Sequence, residues 1–110
     1  MNHRRFRISP LADADIDGHC AYIGRGSVDA ALRFVEAFYD DCIKLSAMPG
    51  MGARRELHRP ELRELRSWPI TGFENRLIFY KPSGDTIEVV RVLHGAQDVE
   101  NILNSSAPST

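Results

Sequence analysis

The chain has 110 residues, 43% of them hydrophobic and 26% charged, with a formal net charge of −1. That length holds one domain with one modest core, and the balance of residues excludes a disordered or fibrous chain. Near-neutral charge argues against a protein whose main task is gripping nucleic acid, because phosphate neutralisation calls for a basic excess.

The charge is uneven along the chain: +3 over residues 1–9, −4 over 10–50, +3 over 51–81 and −3 over 82–110. Twelve of the fourteen basic residues are Arg, the planar, bidentate donor that suits carboxylate or phosphate partners. The opening MNHRRFRIS is basic, but no apolar stretch of signal-peptide or membrane-span length follows it, so neither export nor a membrane partner is expected. Cys20 and Cys42 have no CxxC spacing and make no disulfide framework, which fits a reduced, cytoplasmic setting. His3, His19 and His58 have no ligand spacing, so no metal and no cofactor are expected.

Phe6 and Ile8, alternating with Arg5 and Arg7, read as a short strand. Ser9 is a good N-cap, Pro10 suits the first helical position and Asp13 sits in the first turn, so a helix starts here. Ala12, Ile16, Cys20 and Ile23 form its apolar stripe, with Asp13 and Asp17 on the wet face. Gly24-Arg25-Gly26 should break this helix, and Ser27 with Asp29 should start a second one, folded back against the first. Ala31, Val35, Phe38, Cys42 and Leu45 make the second stripe, widened by Phe34, Tyr39 and Ile43. Met48 to Pro60 then reads as a loop.

From Leu62 the period changes. Leu62–Trp68, Asn75–Lys81 and Thr86–Leu93 read as three strands of a meander, the last two joined by a four-residue loop, Pro82 to Asp85. The last strand is apolar on both parities, which marks it as central; the N-terminal strand is the remaining candidate for its free side. Ala96 to Leu103 reads as a short helix turning Val99, Ile102 and Leu103 inward. The expected domain is 1–103, with 104–110 a flexible polar tail.

The order strand, helical hairpin, meander, short helix resembles the RelE/ParE toxin superfamily. Five segments carry the resemblance to its ParE branch, in the right order: SPLADADI (9–16), MPGMGARR (48–55), LRELRSWPI (62–70), NRLIFYK (75–81) and IEVVRVLHGAQD (87–98). The resemblance implies an α+β fold in which a four-stranded, antiparallel-rich sheet carries the helical hairpin on one face. It also implies a toxin of a type II toxin-antitoxin system, neutralised by a cognate ParD-like antitoxin in a hetero-oligomeric complex that meets operator DNA only through the antitoxin. ParE toxins with a known target inhibit DNA gyrase by binding it.

The RelE branch instead cuts messenger RNA on the ribosome, which needs a base, an acid and cations for the phosphate. His94 as base or acid, with Arg66, Arg76 and Arg91 as phosphate ligands, is the candidate set for that alternative, and Tyr80 is a further candidate. The stretch after His94 lacks the cations and aromatic residue that ribonuclease relatives place there, so inhibition by binding without catalysis is the leading reading. A third reading is a member that has lost toxicity but still binds antitoxin. Arg54, Arg55, Arg59, Arg63 and Arg66 are the expected surface for an acidic antitoxin segment or for the target, by charge steering. Trp68 is expected to pack under the helical hairpin.

Overall fold

A computed structural model describes residues 6–55, 57 and 59–106. Arg5, His3, His58 and residues 107–110 of the expected tail lie outside them. In chain order the elements are β1 (Phe6–Ile8), α1 (Pro10–Gly26), α2 (Val28–Ala47), β2 (Ala53–Arg54), β3 (Arg66–Ile70), β4 (Phe73–Ser83), β5 (Thr86–His94) and α3 (Val99–Ser106). They build one α+β sheet in the order β1-β5-β4-β3-β2.

The helix starts fall where local chemistry sets them. Ser9 accepts the Ala12 N–H at 3.0 Å through its side chain, with Pro10 at the first helical position. Ser27 closes one helix and opens the next: its N–H donates to Ile23 O at 3.1 Å and its Oγ accepts the Ala30 N–H at 3.0 Å. The glycines ahead of it do not break α1, which continues through Gly26.

The sheet has five strands rather than four, because Ala53–Arg54 pairs with Ser67 and Arg66. Two residues are too few to show a period. The first meander strand also begins later than expected: Pro60–Leu62 forms a 3-10 turn, which drops Leu62 and Leu65 into the core before β3 starts. Pro69 then falls beyond the reach of β2, on a free edge where a missing N–H costs no ladder bond. The β4–β5 loop is tighter than expected, since both strands run up to Gly84-Asp85. Gly84, at φ +67°, takes the first position of this two-residue turn, a place that favours glycine.

β5 is central, with β1 parallel on one side and β4 antiparallel on the other. Its register slips by one between Phe79 and Tyr80, so Val90 and Arg91 together oppose Phe79, a bulge that re-aims side chains. Ile87, Val89 and Val92 pack with Ala12, Ile16, Phe34, Phe38 and Leu45 on the helical-hairpin face. Val90 and Leu93 turn the other way, to Leu62, Leu65, Phe79 and Leu103. Trp68 is half-buried against the hairpin core, as its place in the pattern predicts. Ile43 departs from the expected stripe and is exposed, whereas Asp41 is buried. Asp41 accepts from Thr71 N at 2.8 Å and Thr71 Oγ1 at 3.0 Å, tying α2 to the β3–β4 turn. α3 runs to Ser106, so Asn104 to Ser106 belong to the helix rather than to a tail.

Candidate functional site

The cations separate into two groups. Arg54, Arg55 and Arg63 line one shallow cavity of about 250 Å³ together with Leu57. The short β2 strand positions the first of them, and the Arg55 N–H donates to Leu65 O at 3.0 Å, extending the pairing. Arg54 reaches Arg63 O at 3.2 Å, and the Arg55 guanidinium stands 5.3 Å from the Phe79 ring centre, within cation-π range. This cavity lies on the α3 face, since Leu57 and Phe79 belong to the smaller core there. Permanently charged forks beside an apolar side chain suit a carboxylate with a hydrophobic neighbour.

Arg59 and Arg66 flank this cavity rather than line it. Arg59 donates to Asn104 O at 2.9 Å and to Glu61 Oε2 at 3.0 Å, capping the last turn of α3, where a cation is favoured. Arg66 donates to Gly52 O at 2.6 Å and holds the loop after α2.

The groups proposed for RNA cleavage are not brought together. Arg91 forms a two-point ion pair with Asp15 of α1, at 2.7 and 2.8 Å, and Asp15 also accepts the Val92 N–H at 3.0 Å. The hydrogen bonds that Arg91 donates to Asp15 hold the Arg91 pKa above its usual value. Both side chains are at most 15% exposed, so Arg91 is structural, aimed at α1 by the bulge. Tyr80 is buried, donates to Pro49 O at 2.7 Å and accepts the Gly52 N–H at 2.8 Å; burial raises its pKa. Arg66 stands opposite Tyr80, whereas His94 stands opposite Arg76, and about 13 Å of strand lies between these positions.

His94 closes β5 on itself: its Nδ1 accepts the Ala96 N–H at 3.0 Å, and its N–H donates to Gln97 Oε1 at 2.6 Å. Arg76 Nε donates to His19 Nδ1 at 3.2 Å, while His19 Nε2 lies 2.9 Å from Val92 O. An acceptor on Nδ1 and a donor on Nε2 define the neutral ring. Burial is the main force lowering its pKa, with the Arg76 charge adding to it.

Sequence reasoning missed Asp15, His19 and Tyr22 as a set. Their spacing of four and three residues places them on one stripe of α1, beside the apolar one. That signal was readable, but which strand residues would meet it was not. Among the described residues no group of three or more His, Cys, Asp or Glu could hold a metal ion, and no helix is long and apolar enough to cross a membrane.

The family profile described as "ParE toxin of type II toxin-antitoxin system, parDE" matches residues 6–99. The chain is 32% identical over 102 residues to "Toxin ParE1" of Mycobacterium tuberculosis, both in strain CDC 1551 / Oshkosh and in strain ATCC 25618 / H37Rv. Each alignment covers 90% of this chain and 97% of the relative. In fold it is similar to a solved chain described as "Chromosomal ParDE TA system from P. aeruginosa", with a TM-score of 0.64, 18% identity, and coverage of 83% of this chain and 95% of that one. The protein is thus of the class of toxin components of type II toxin-antitoxin systems. Within that class it belongs to the ParE toxin family.

Proposed function

We propose that this ParE-family toxin acts in the cytoplasm by binding DNA gyrase rather than by a reaction of its own, and that a ParD-like antitoxin neutralises it. The observation that carries this reading is the division of the cations. Arg66, Arg91 and the Tyr80 hydroxyl are engaged inside the fold and Arg76 is tied to His19 on the other face of the sheet, whereas Arg54, Arg55 and Arg63 converge on one open cavity. Permanently charged donors without a paired base suit recognition of an acidic segment more than acid-base chemistry. Arg59 and Arg66 support the margins of that surface through main-chain carbonyls. Operator DNA is met only through the antitoxin.

Controlled expression separates the outcomes. Filamentation with induction of the DNA-damage response, together with loss of supercoiling by purified gyrase, is the expected result. Rapid translation arrest with cut messages, abolished by His94→Ala, would replace this reading with the ribonuclease one. Reversing the charge of Arg54, Arg55 and Arg63 together should weaken antitoxin binding or gyrase inhibition at least tenfold; unchanged affinity and growth arrest would remove the surface from the proposal.

A further inference from the structure

A second basic surface lies on the opposite side of the sheet from the Arg54, Arg55 and Arg63 cavity. Tyr22, on α1, is 63% exposed. The guanidinium of Arg25 stands 5.7 Å from its ring centre and that of Arg76, from β4, stands 5.8 Å away. Two cations thus share one aromatic ring, each within cation-π range. Tyr22 and Arg25, with Ile23 and Gly26, line an open groove of about 480 Å³, and Arg76 lines a smaller one of about 290 Å³ with Gly72 to Asn75.

The two arginines differ in how they are held. Arg25 is exposed in the last turn of α1. Arg76 is fixed through Nε by His19 Nδ1, and His19 is oriented by Val92 O. Val92 N in turn donates to the Asp15 carboxylate that holds Arg91. This chain of bonds uses only Nε of Arg76, so its terminal N–H groups have no partner among the described residues. No carboxylate among those residues pairs with Arg25 or Arg76. Asp15 is held by Arg91, and Glu74, which lines the smaller groove with Arg76, accepts Gly72 N at 2.8 Å.

We infer that Arg25, Tyr22 and Arg76 form a docking site for an acidic peptide segment of a partner protein, separate from the Arg54, Arg55 and Arg63 cavity. The chemistry favours carboxylates. The guanidinium fork matches them bidentately, its orientation is set before binding, which lowers the ordering cost, and the exposed ring and Ile23 offer apolar contact to the segment's neighbouring side chains. Phosphate of nucleic acid is the poorer occupant, because a chain of net charge −1 lacks the basic excess that such binding draws on. The site stands on its own geometry, whether or not gyrase is the target.

The test is a titration of the full chain with acetylated hexaglutamate, followed by amide and side-chain chemical shifts. Shifts are expected at Tyr22, Ile23, Arg25, Gly26 and Arg76. Arg25→Glu should weaken this binding at least fivefold, and Tyr22→Ala should weaken it comparably, because the ring positions both guanidiniums. Arg33→Glu, on an exposed arginine already paired with Asp29, should leave it unchanged. Tyr22, Arg25 and Arg33 are all exposed, so these variants keep the fold, and a thermal melt checks it. Shifts confined to Arg54, Arg55 and Arg63 overturn the inference. So does equal weakening by Arg33→Glu, or binding of hexathymidylate at Arg25 and Arg76 as tight as that of the peptide. Any of these outcomes alongside full gyrase inhibition removes this site alone and leaves the proposed function standing.

Discussion

The two faces of the sheet are built to different standards. On the hairpin face, α1 lays Ala12 and Ile16, and α2 Phe34, Phe38, Cys42 and Leu45, over Ile78, Tyr80, Val89 and Val92, and Asp15, Asp41 and His19 there are all hydrogen-bonded. Burial pushes the Cys42 thiol up to about 12, which makes it an inert part of the packing. On the α3 face a smaller cluster, Leu62, Leu65, Phe79, Leu93 and Leu103, sits under one short helix held partly by Arg59. A closely packed face gives rigidity, and a thinly covered one can be remodelled by a partner at small cost. The toxin thus carries its stability on one side and its more adaptable surface on the other.

The sharpest break of this contrast is Asp15→Ala. It would remove the two-point ion pair from a mostly buried Arg91 and strip the acceptor from Val92 N, so a loss of about 3–5 kcal/mol in urea denaturation is expected. A loss below about 1 kcal/mol would mean that the bulge and ion pair do not anchor α1. Cutting into the two cores should then separate them. Phe38→Ala should cost about 3–5 kcal/mol, whereas Leu103→Ala should fall near the lower end of the range for such losses, about 2 kcal/mol, because α3 can settle into the space. Equal costs would erase the distinction between the faces.

Tyr80→Phe tests the loop after α2 more gently. It removes the acceptor for Gly52 N and the donor to Pro49 O, for an expected loss of about 1–3 kcal/mol. Gly52 belongs to the same contact, since a Cβ there would fall 2.8 Å from Ser67 O and on the Tyr80 hydroxyl. The smallest effect is on acid stability. The folded pKa of His19 lies below its ordinary 6.5, so the unfolded chain takes up the proton first. Stability is therefore full above about pH 6.5 and declines as pH falls through that value, levelling off below the folded pKa. Asp15, Arg76 and His94 surround the ring and share in the balance. His19→Gln should flatten this part of the profile, and an unchanged slope would assign it to another group.

Much of the fold was legible because its signals are local. Ser9-Pro10 and Ser27 announce the helices through hydrogen bonds made within one turn, and the double-parity apolar run of β5 announces a strand covered on both faces. Three things were hidden. A two-residue strand has no period, so β2 could not be seen. The start of β3 depends on Leu62 and Leu65 finding the second core, which is a tertiary event. Val89-Val90 conceals the bulge, because two adjacent valines fit either frame and only the partner strand decides between them. The arginines were countable but their partners were not: Arg54, Arg55 and Arg63 converge because β2 brings the loop back beside β3, and Arg91 is withdrawn by a carboxylate 76 positions upstream in the chain.

One pairing has a consequence in time. Phe6, Arg7 and Ile8 align with Ile87, Glu88 and Val89, and Ser9 takes its cap partners from Val89 O and Val90 O. β1 must therefore wait for β5 before the two can pair, and contacts this distant in sequence form slowly. A nascent chain cannot complete the sheet until β5 has emerged. Because the sheet is completed only when β5 joins β1 and β4, an antitoxin already present in the cell can reach the chain as it matures.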